Sequence, residues 1–302
     1  MSCDENLPNL DNLELSFMDK YGNDIAPQSY EDQKQIFYEA LQTIPQNFMF
    51  TMMEGLPPET KIHVGFRGSV LRSIHCTYKG DEGVFEYSRG FGNNSAFHYS
   101  AECQGAVRER DINKKLQGRF FSLYQNLGIE KVELGAMDVG CYAWPRLGFV
   151  PYERNWKTLS HWMLGRLKFI EENPCPKNGP LSDTYVQGLR RILQDPDPKS
   201  LWAIVDQAGE YYGAKLGYLL TCAWDAKTVG RHFPMNALDV HDDKKFLAEQ
   251  HDWSGSFDMR DYDGLSRLKS YLGPEGRGID LNLAKKIHIV LRAKKTKPDT
   301  TL

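Results

Sequence analysis

Between Lys61 and Gln104 apolar and polar positions alternate in short runs separated by Gly- and Asn-rich turns. KIHVGFRGSVLRSIHCTY alternates in part and is interrupted by Gly65 and Gly68. GVFEYSRGF and SAFHYSAEC follow, set off by GDEG and GFGNNS. A period of two bounded by turn residues predicts a meander of about three antiparallel strands. The period then changes. Ile112, Leu116, Phe120, Leu123 and Leu127 recur every three or four residues, so VRERDINKKLQGRFFSLYQNLG reads as an amphipathic helix stopped by Gly128. IEKVELGA predicts a strand and Asp138–Gly140 a turn. Tyr142–Leu147 predicts a helical turn closed by Gly148, and FVPYE a further strand.

On the N-terminal side, SYEDQKQIFYEALQTI has the start of a helix. Ser29 can cap and Asp32 stands three residues on, ahead of Ile36, Phe37, Ala40, Leu41 and Ile44 at helical spacing. Residues 1–28, with Pro8 and Pro27, read as a weakly structured leader. On the C-terminal side a helix runs from Trp156 toward Glu172, with Trp162, Leu164, Leu167 and Ile170 as its apolar positions. NPCPKNGP, residues 173–180, is proline-rich and is the expected linker. Residues 181–302 hold two helical patterns parted by DPDP, then a short β or turn segment in HDWSGSFDMRD and a closing helix. The expected organisation is therefore a leader (1–28), a first domain (29–172), a linker (173–180) and a mostly helical C-terminal region with a basic tail (181–302).

Composition adds limits. With 302 residues, 41% of them apolar and 25% charged, the chain can build a core of ordinary size. No window approaches the roughly 18 apolar residues that span a bilayer, and the acidic N-terminus lacks the basic and apolar regions of a signal peptide. No membrane association is expected. The six cysteines lie far apart without a C-x-x-C pair, which points to reduced thiols and a cytoplasmic location. Net charge is −3, which leaves no whole-chain footprint for nucleic acid. The tail Lys285–Lys297 holds six Lys/Arg and no acid; it is either a solvated terminus or a contact for phosphate or an acidic partner.

Most familiar chemistry is missing from the sequence. There is no G-x-S-x-G, H-E-x-x-H, phosphate-loop or kinase motif. His241-Asp242-Asp243 and His251-Asp252 lack a ligand spacing, so they read as a polar loop and no metal is assigned. Gly90-x-Gly92 follows a strand but opens no helix, so it fails as a nucleotide fingerprint.

The block from Arg108 to Pro151 resembles the second half of a GNAT-type N-acetyltransferase domain. The counterparts are AECQGAV for the strand and its loop, RERDINKKLQGRFFSLYQNLG for the helix, IEKVELGA for the next strand and YAWPRLGF for the short helix ending in Gly-Phe. DVGCYAWPRLGF is also similar to GNAT-like proteins of phages and bacteria. The resemblance covers about 45 residues strongly and about 110 weakly, from Ile62 to Glu172, and leaves out the C-terminal region. It implies a mixed α/β (α+β) fold with a mainly antiparallel sheet flanked by helices. It also implies acetyl-CoA as acyl donor to an amine acceptor, with the pyrophosphate at the start of the helix. On that reading Val107, Arg108, Arg110, Asn113 and Lys114 bind the cofactor. Glu102 or His98 takes the proton from the amine, the two sharing parity on one strand. Tyr142 protonates the thiolate if the turn at Pro145 is irregular; Trp144 stands where many relatives have that tyrosine. Asp111 and Asn113 replace two small residues of the family's loop. They set a carboxylate where the pyrophosphate would sit, and Asp111 is equally a helix cap without a ligand. Two alternatives remain open: a non-catalytic GNAT-fold accessory protein that binds a macromolecule, and an enzyme using another donor.

Overall fold

A computed structural model describes residues 13–18, 24–25, 56–57, 59–67, 70–81, 83–105, 111–175, 177–222 and 251–282. The helix expected over 29–44 and the tail Lys285–Lys297 fall outside these residues. The chain divides into two compact units, one of residues 1–133 and 258–302, the other of residues 134–257.

The first unit carries a mostly antiparallel sheet. Its strands are β1 (Leu13–Met18), β2 (Asp24–Ile25), β3 (Lys61–Arg67), β4 (Val70–Gly80), β5 (Gly83–Phe91), β6 (Ser95–Gly105) and the first half of β7 (Lys131–Ala136), in the order β2-β1-β3-β4-β5-β6-β7. The expected three-strand meander is four strands, β3 to β6, because the chain reverses between Arg67 and Val70. The expected leader contains two strands. β1 runs parallel to β3 with Leu13 opposite Ile62, and β2 folds back antiparallel on β1.

Alternation builds one apolar face. Ile62, Val64 and Phe66 of β3, Ile74, Cys76 and Tyr78 of β4, and Phe85, Tyr87 and Phe91 of β5 are buried. Helix α1 (Ile112–Asn126) covers this face, with Phe120, Phe121 and Tyr124 in ring contact with the strands. Each buried aromatic contributes on the order of 2 kcal/mol through area removed from water. On its other side α1 meets the turn Gly273–Gly276 that follows α7 (Tyr262–Leu272). Gly118 makes that approach possible: a Cβ there would collide with the Glu275 carbonyl. Gln125 then ties α1 to Asp280 through Nε2 donating to Asp280 O (3.0 Å) and Asp280 N donating to Oε1 (2.8 Å).

The second unit is mainly helical. It holds α2 (Gly140–Arg146), the short β8 (Val150–Pro151), α3 (Glu153–Glu172), α4 (Asp183–Gln194), α5 (Ser200–Val205), the hairpin β9 (Glu210–Tyr211) and β10 (Ala214–Lys215), α6 (Leu216–Thr221) and β11 (Trp253–Asp258). β11 pairs antiparallel with β8, Gly255 opposite Pro151. Helix α3 packs on α4 and α6. Residues 173–180 are no linker between units. Cys175 bridges to Gly179, Tyr211 Oη accepts from Cys175 N (2.9 Å) and donates to Gly179 O (2.8 Å), and Tyr212 Oη donates to Asn173 O. The units divide instead inside β7 and at the end of β11.

Candidate functional site

The strand before α1 decides which sequence-predicted groups can act together. β5 and β6 pair with Ser88 opposite Ser100 but Arg89 opposite His98, so Tyr99 is an extra residue on β6. A bulge of this kind shifts the side-chain parity of everything beyond it. His98 therefore sits with Arg89 on the buried face, while position 102 pairs with Glu86 on the opposite face. The expectation that residues 98 and 102 share a face is corrected by this bulge.

His98 is also unavailable as a base in another respect. It is buried under α1, its Nε2 hydrogen-bonded to Tyr124 Oη at 3.0 Å, and its ring meets Phe121 edge-on. Burial, and secondarily the charge of Arg89, holds its pKa well below the usual histidine value. The imidazole is neutral and shut away from solvent. Arg89 itself is fully buried. Its Nη1 donates to Ser88 O (2.8 Å) and Ser100 O (2.6 Å), and its guanidinium lies over Tyr87 (5.1 Å) and Phe120 (5.2 Å). These partners staple the bulge and leave Arg89 a structural cation. Burial raises the Tyr124 hydroxyl, opposed by Arg89, and pushes the Cys76 thiol up to about 12. No acid–base chemistry near neutral pH follows from this cluster.

Of the expected cofactor ligands, Val107, Arg108 and Arg110 lie outside the described residues. At the helix start, Asp111 is the N-cap residue but does not cap through its side chain; it has φ 54°, a left-handed conformation. Its carboxylate pairs with Lys114 Nζ at 3.4 Å, and Lys114 also lies 5.9 Å from the centre of the Tyr271 ring. Asn113 is exposed. The first turn thus presents helix-end amides and a lysine to an anion, with the Asp111 charge offset by the same lysine. β6 and β7 begin side by side, because Asn94 O accepts from both Glu130 N (2.9 Å) and Lys131 N (3.3 Å).

Tyr142 belongs to the second unit. It is half-buried on α2, edge-on to Tyr218 at 5.6 Å and 5.4 Å from the Arg146 guanidinium. Trp144 packs edge-on against Phe149 at 5.3 Å. Both sets of contacts are packing contacts within that unit. Two thiols lie nearby: Cys141 Sγ donates to Ala136 O (3.5 Å) and Cys222 Sγ to Asp138 O (3.5 Å). Burial raises both, Cys222 to about 12. Fully buried Arg166 caps the end of α6 by donating to Leu219 O (2.8 Å) and Cys222 O, with its guanidinium 3.8 Å from the Trp162 ring centre.

Sequence reasoning missed the solvent-side rows of the first unit's sheet. Across β3 to β6 the register aligns His63, His75, Ser88 and Ser100, and beside them Lys61, Thr77 and Glu86. Strict alternation of HVGF, SIHCT and FEYS was the available signal. Ser100 Oγ donates to Glu86 Oε1 at 2.9 Å, and His75 Nε2 lies 3.8 Å from the same oxygen. Among the described residues, no group of three or more His, Cys, Asp or Glu could hold a metal ion. His241, Asp242 and Asp243 lie outside the described residues. No described helix is long and apolar enough to cross a membrane. No family model, curated protein or solved structure matches the chain.

Proposed function

We propose that the first unit is a GNAT-like domain that takes acyl-CoA and transfers the acyl group to an amine. The carrying observation is the sequence β6, α1, β7, with both strand starts held by Asn94 O and a 15-residue helix opening after the end of β6. Bound acyl-CoA supplies an activated thioester carbonyl. Lys114, Asn113 and the first-turn amides, with Arg108 and Arg110 ahead of them, bind its pyrophosphate. The backbone near Val107 polarises the carbonyl. With His98 buried and neutral, Glu102 is the remaining base for the amine.

A second reading has its own observations. Asp111 holds a negative charge at the first turn, and Lys114 is engaged by it. Together with the buried His98, this favours a non-catalytic scaffold that binds a macromolecule, or an enzyme with another donor. Calorimetry of the full chain with acetyl-CoA and with free CoA separates the readings. Binding at about 1 μM, worth about 8 kcal/mol, supports the acyl-CoA site. Binding absent in the wild type but gained in the Asp111→Gly/Asn113→Gly variant shows a closed site and supports the second reading. Absence in both removes the acyl-CoA reading.

A further inference from the structure

We propose that the sheet face opposite α1 carries a binding platform for a neutral glycan, centred on Tyr99. Tyr99 is the extra residue of the β6 bulge, and it is 71% exposed. Its hydroxyl end overhangs Gly90: a Cβ on Gly90 would stand 2.6 Å from Tyr99 Cε2 and 2.8 Å from its Oη. Phe97, half-exposed, stands opposite Gly90 in register, and its ring edge would be 3.7 Å from a Cβ on Gly92. The two ring planes are within 14° of each other, with centroids 6.3 Å apart. Gly90, which has no role in a nucleotide loop, lies beneath the end of the Tyr99 ring.

A single exposed aromatic is ordinary on a protein surface. Three features together make this one a site. The bulge turns Tyr99 out of the alternation and onto this face. Gly90 leaves room for the Tyr99 ring, where any side chain would collide with it. A polar border adjoins them: Ser100 is the next residue, its hydroxyl bonded to Glu86, with Ser88 and His75 in line.

The chemistry selects the occupant. A pyranose has a face of C–H groups and a rim of hydroxyls. The C–H face carries slight positive charge and matches the negative face of an aromatic ring. The rim hydroxyls match a carboxylate, serine hydroxyls and an imidazole. A nucleic-acid strand stacks on such rings too, but it needs cations for its phosphates. Here Ser100, next to Tyr99, is bonded to the Glu86 carboxylate, which would repel a phosphate at that border. Charge therefore favours a neutral sugar over a phosphodiester.

The test is an amide and aromatic NMR titration of the full chain with cellohexaose, chitohexaose and laminarihexaose, each to about 10 mM, with the oligonucleotide dT8 in parallel. The expected result is saturable shifts at Gly90, Phe97, Tyr99 and Ser100 with at least one sugar. Affinity falls at least about tenfold in Tyr99→Ala, is kept in Tyr99→Trp, and weakens in Glu86→Gln. Tyr99→Gln serves as a second stacking-deficient variant if Tyr99→Ala unfolds. Silence with all three sugars overturns the proposal, as do shifts that persist without the aromatic ring. Shifts with dT8 alone also overturn it and make the rings a base-stacking site.

Discussion

Gly118→Ala separates intrinsic helix preference from tertiary packing, because the two predict opposite signs. In an open helix the change stabilises by about 1 kcal/mol. At position 118 the new methyl meets the backbone of the turn after α7. It would lie 3.0 Å from the carbonyl carbon of Glu275, and closer still to the oxygen. Ordinary contact needs about 3.5–4 Å, so α1 and the turn must part by about 1 Å. The neighbour is backbone, not a flexible side chain, and it cannot swing aside. Overpacking of this kind costs about 1–3 kcal/mol. Displacement also stretches the paired bonds between Gln125 and Asp280, each worth about 1 kcal/mol. The net expectation is a loss of about 2 kcal/mol. Gly188→Ala is the internal comparison. Gly188 lies inside α4 with nothing within 4 Å of the added atom, so this change should stabilise by about 0.5–1 kcal/mol. Urea unfolding gives both stabilities, and amide exchange on α1 locates the first effect. A Gly118→Ala protein as stable as the wild type refutes the packing argument.

Three other expectations follow from the buried groups. His98 is neutral in the fold with a pKa below the ordinary value, so the unfolded chain binds one more proton below about pH 6.5. Stability should therefore fall by about 1.4 kcal/mol per pH unit as pH drops from about 6 to 5, and His98→Phe should lack that component in acid-dependent urea unfolding. Cys76, Cys141 and Cys222 are buried with raised pKa values, so native protein at about pH 8 should leave them unlabelled by iodoacetamide, and urea should expose them. Arg166→Lys loses the planar group that serves two carbonyls at once and lies over Trp162; thermal unfolding should show a loss of about 1–3 kcal/mol.

The sheet's apolar face is readable directly from the period-two pattern of residues 61–91, and α1 from its three-and-four spacing. Three other features depend on partners far along the chain. LELSFM alternates Leu13, Leu15 and Phe17, yet a lone strand among prolines and acids gains meaning only from pairing with β3, which starts at Lys61. FHYSAEC, Phe97 to Cys103, alternates without interruption, so nothing beside Tyr99 reveals that it has no partner in the ladder. Arg89, reaching Ser88 O and Ser100 O, holds the bulge and thereby sends positions 98 and 102 to opposite faces. The prolines of residues 173–180 suggest a spacer, but Tyr211 and Tyr212, more than 30 positions on, tie that segment down. Short-range chemistry specifies elements; long-range hydrogen bonds choose their partners and the unit boundaries.

The first unit is discontinuous in the chain: it starts before residue 134 and is completed by residues 258 onward. Synthesis on the ribosome makes this an ordering in time. When Gln125 is added to the chain, its partner Asp280 is still 155 residues from translation. At about 5–20 residues per second, that delay is on the order of ten seconds. For that interval the flank of α1 at Gly118 lacks the turn that will cover it, and within it every residue of the second unit is made. The second unit can fold first, as an inserted piece, and the first closes last. A ribosome that pauses near Asp258 would hold the nascent chain with one unit finished and the other open, the state in which a chaperone would be needed.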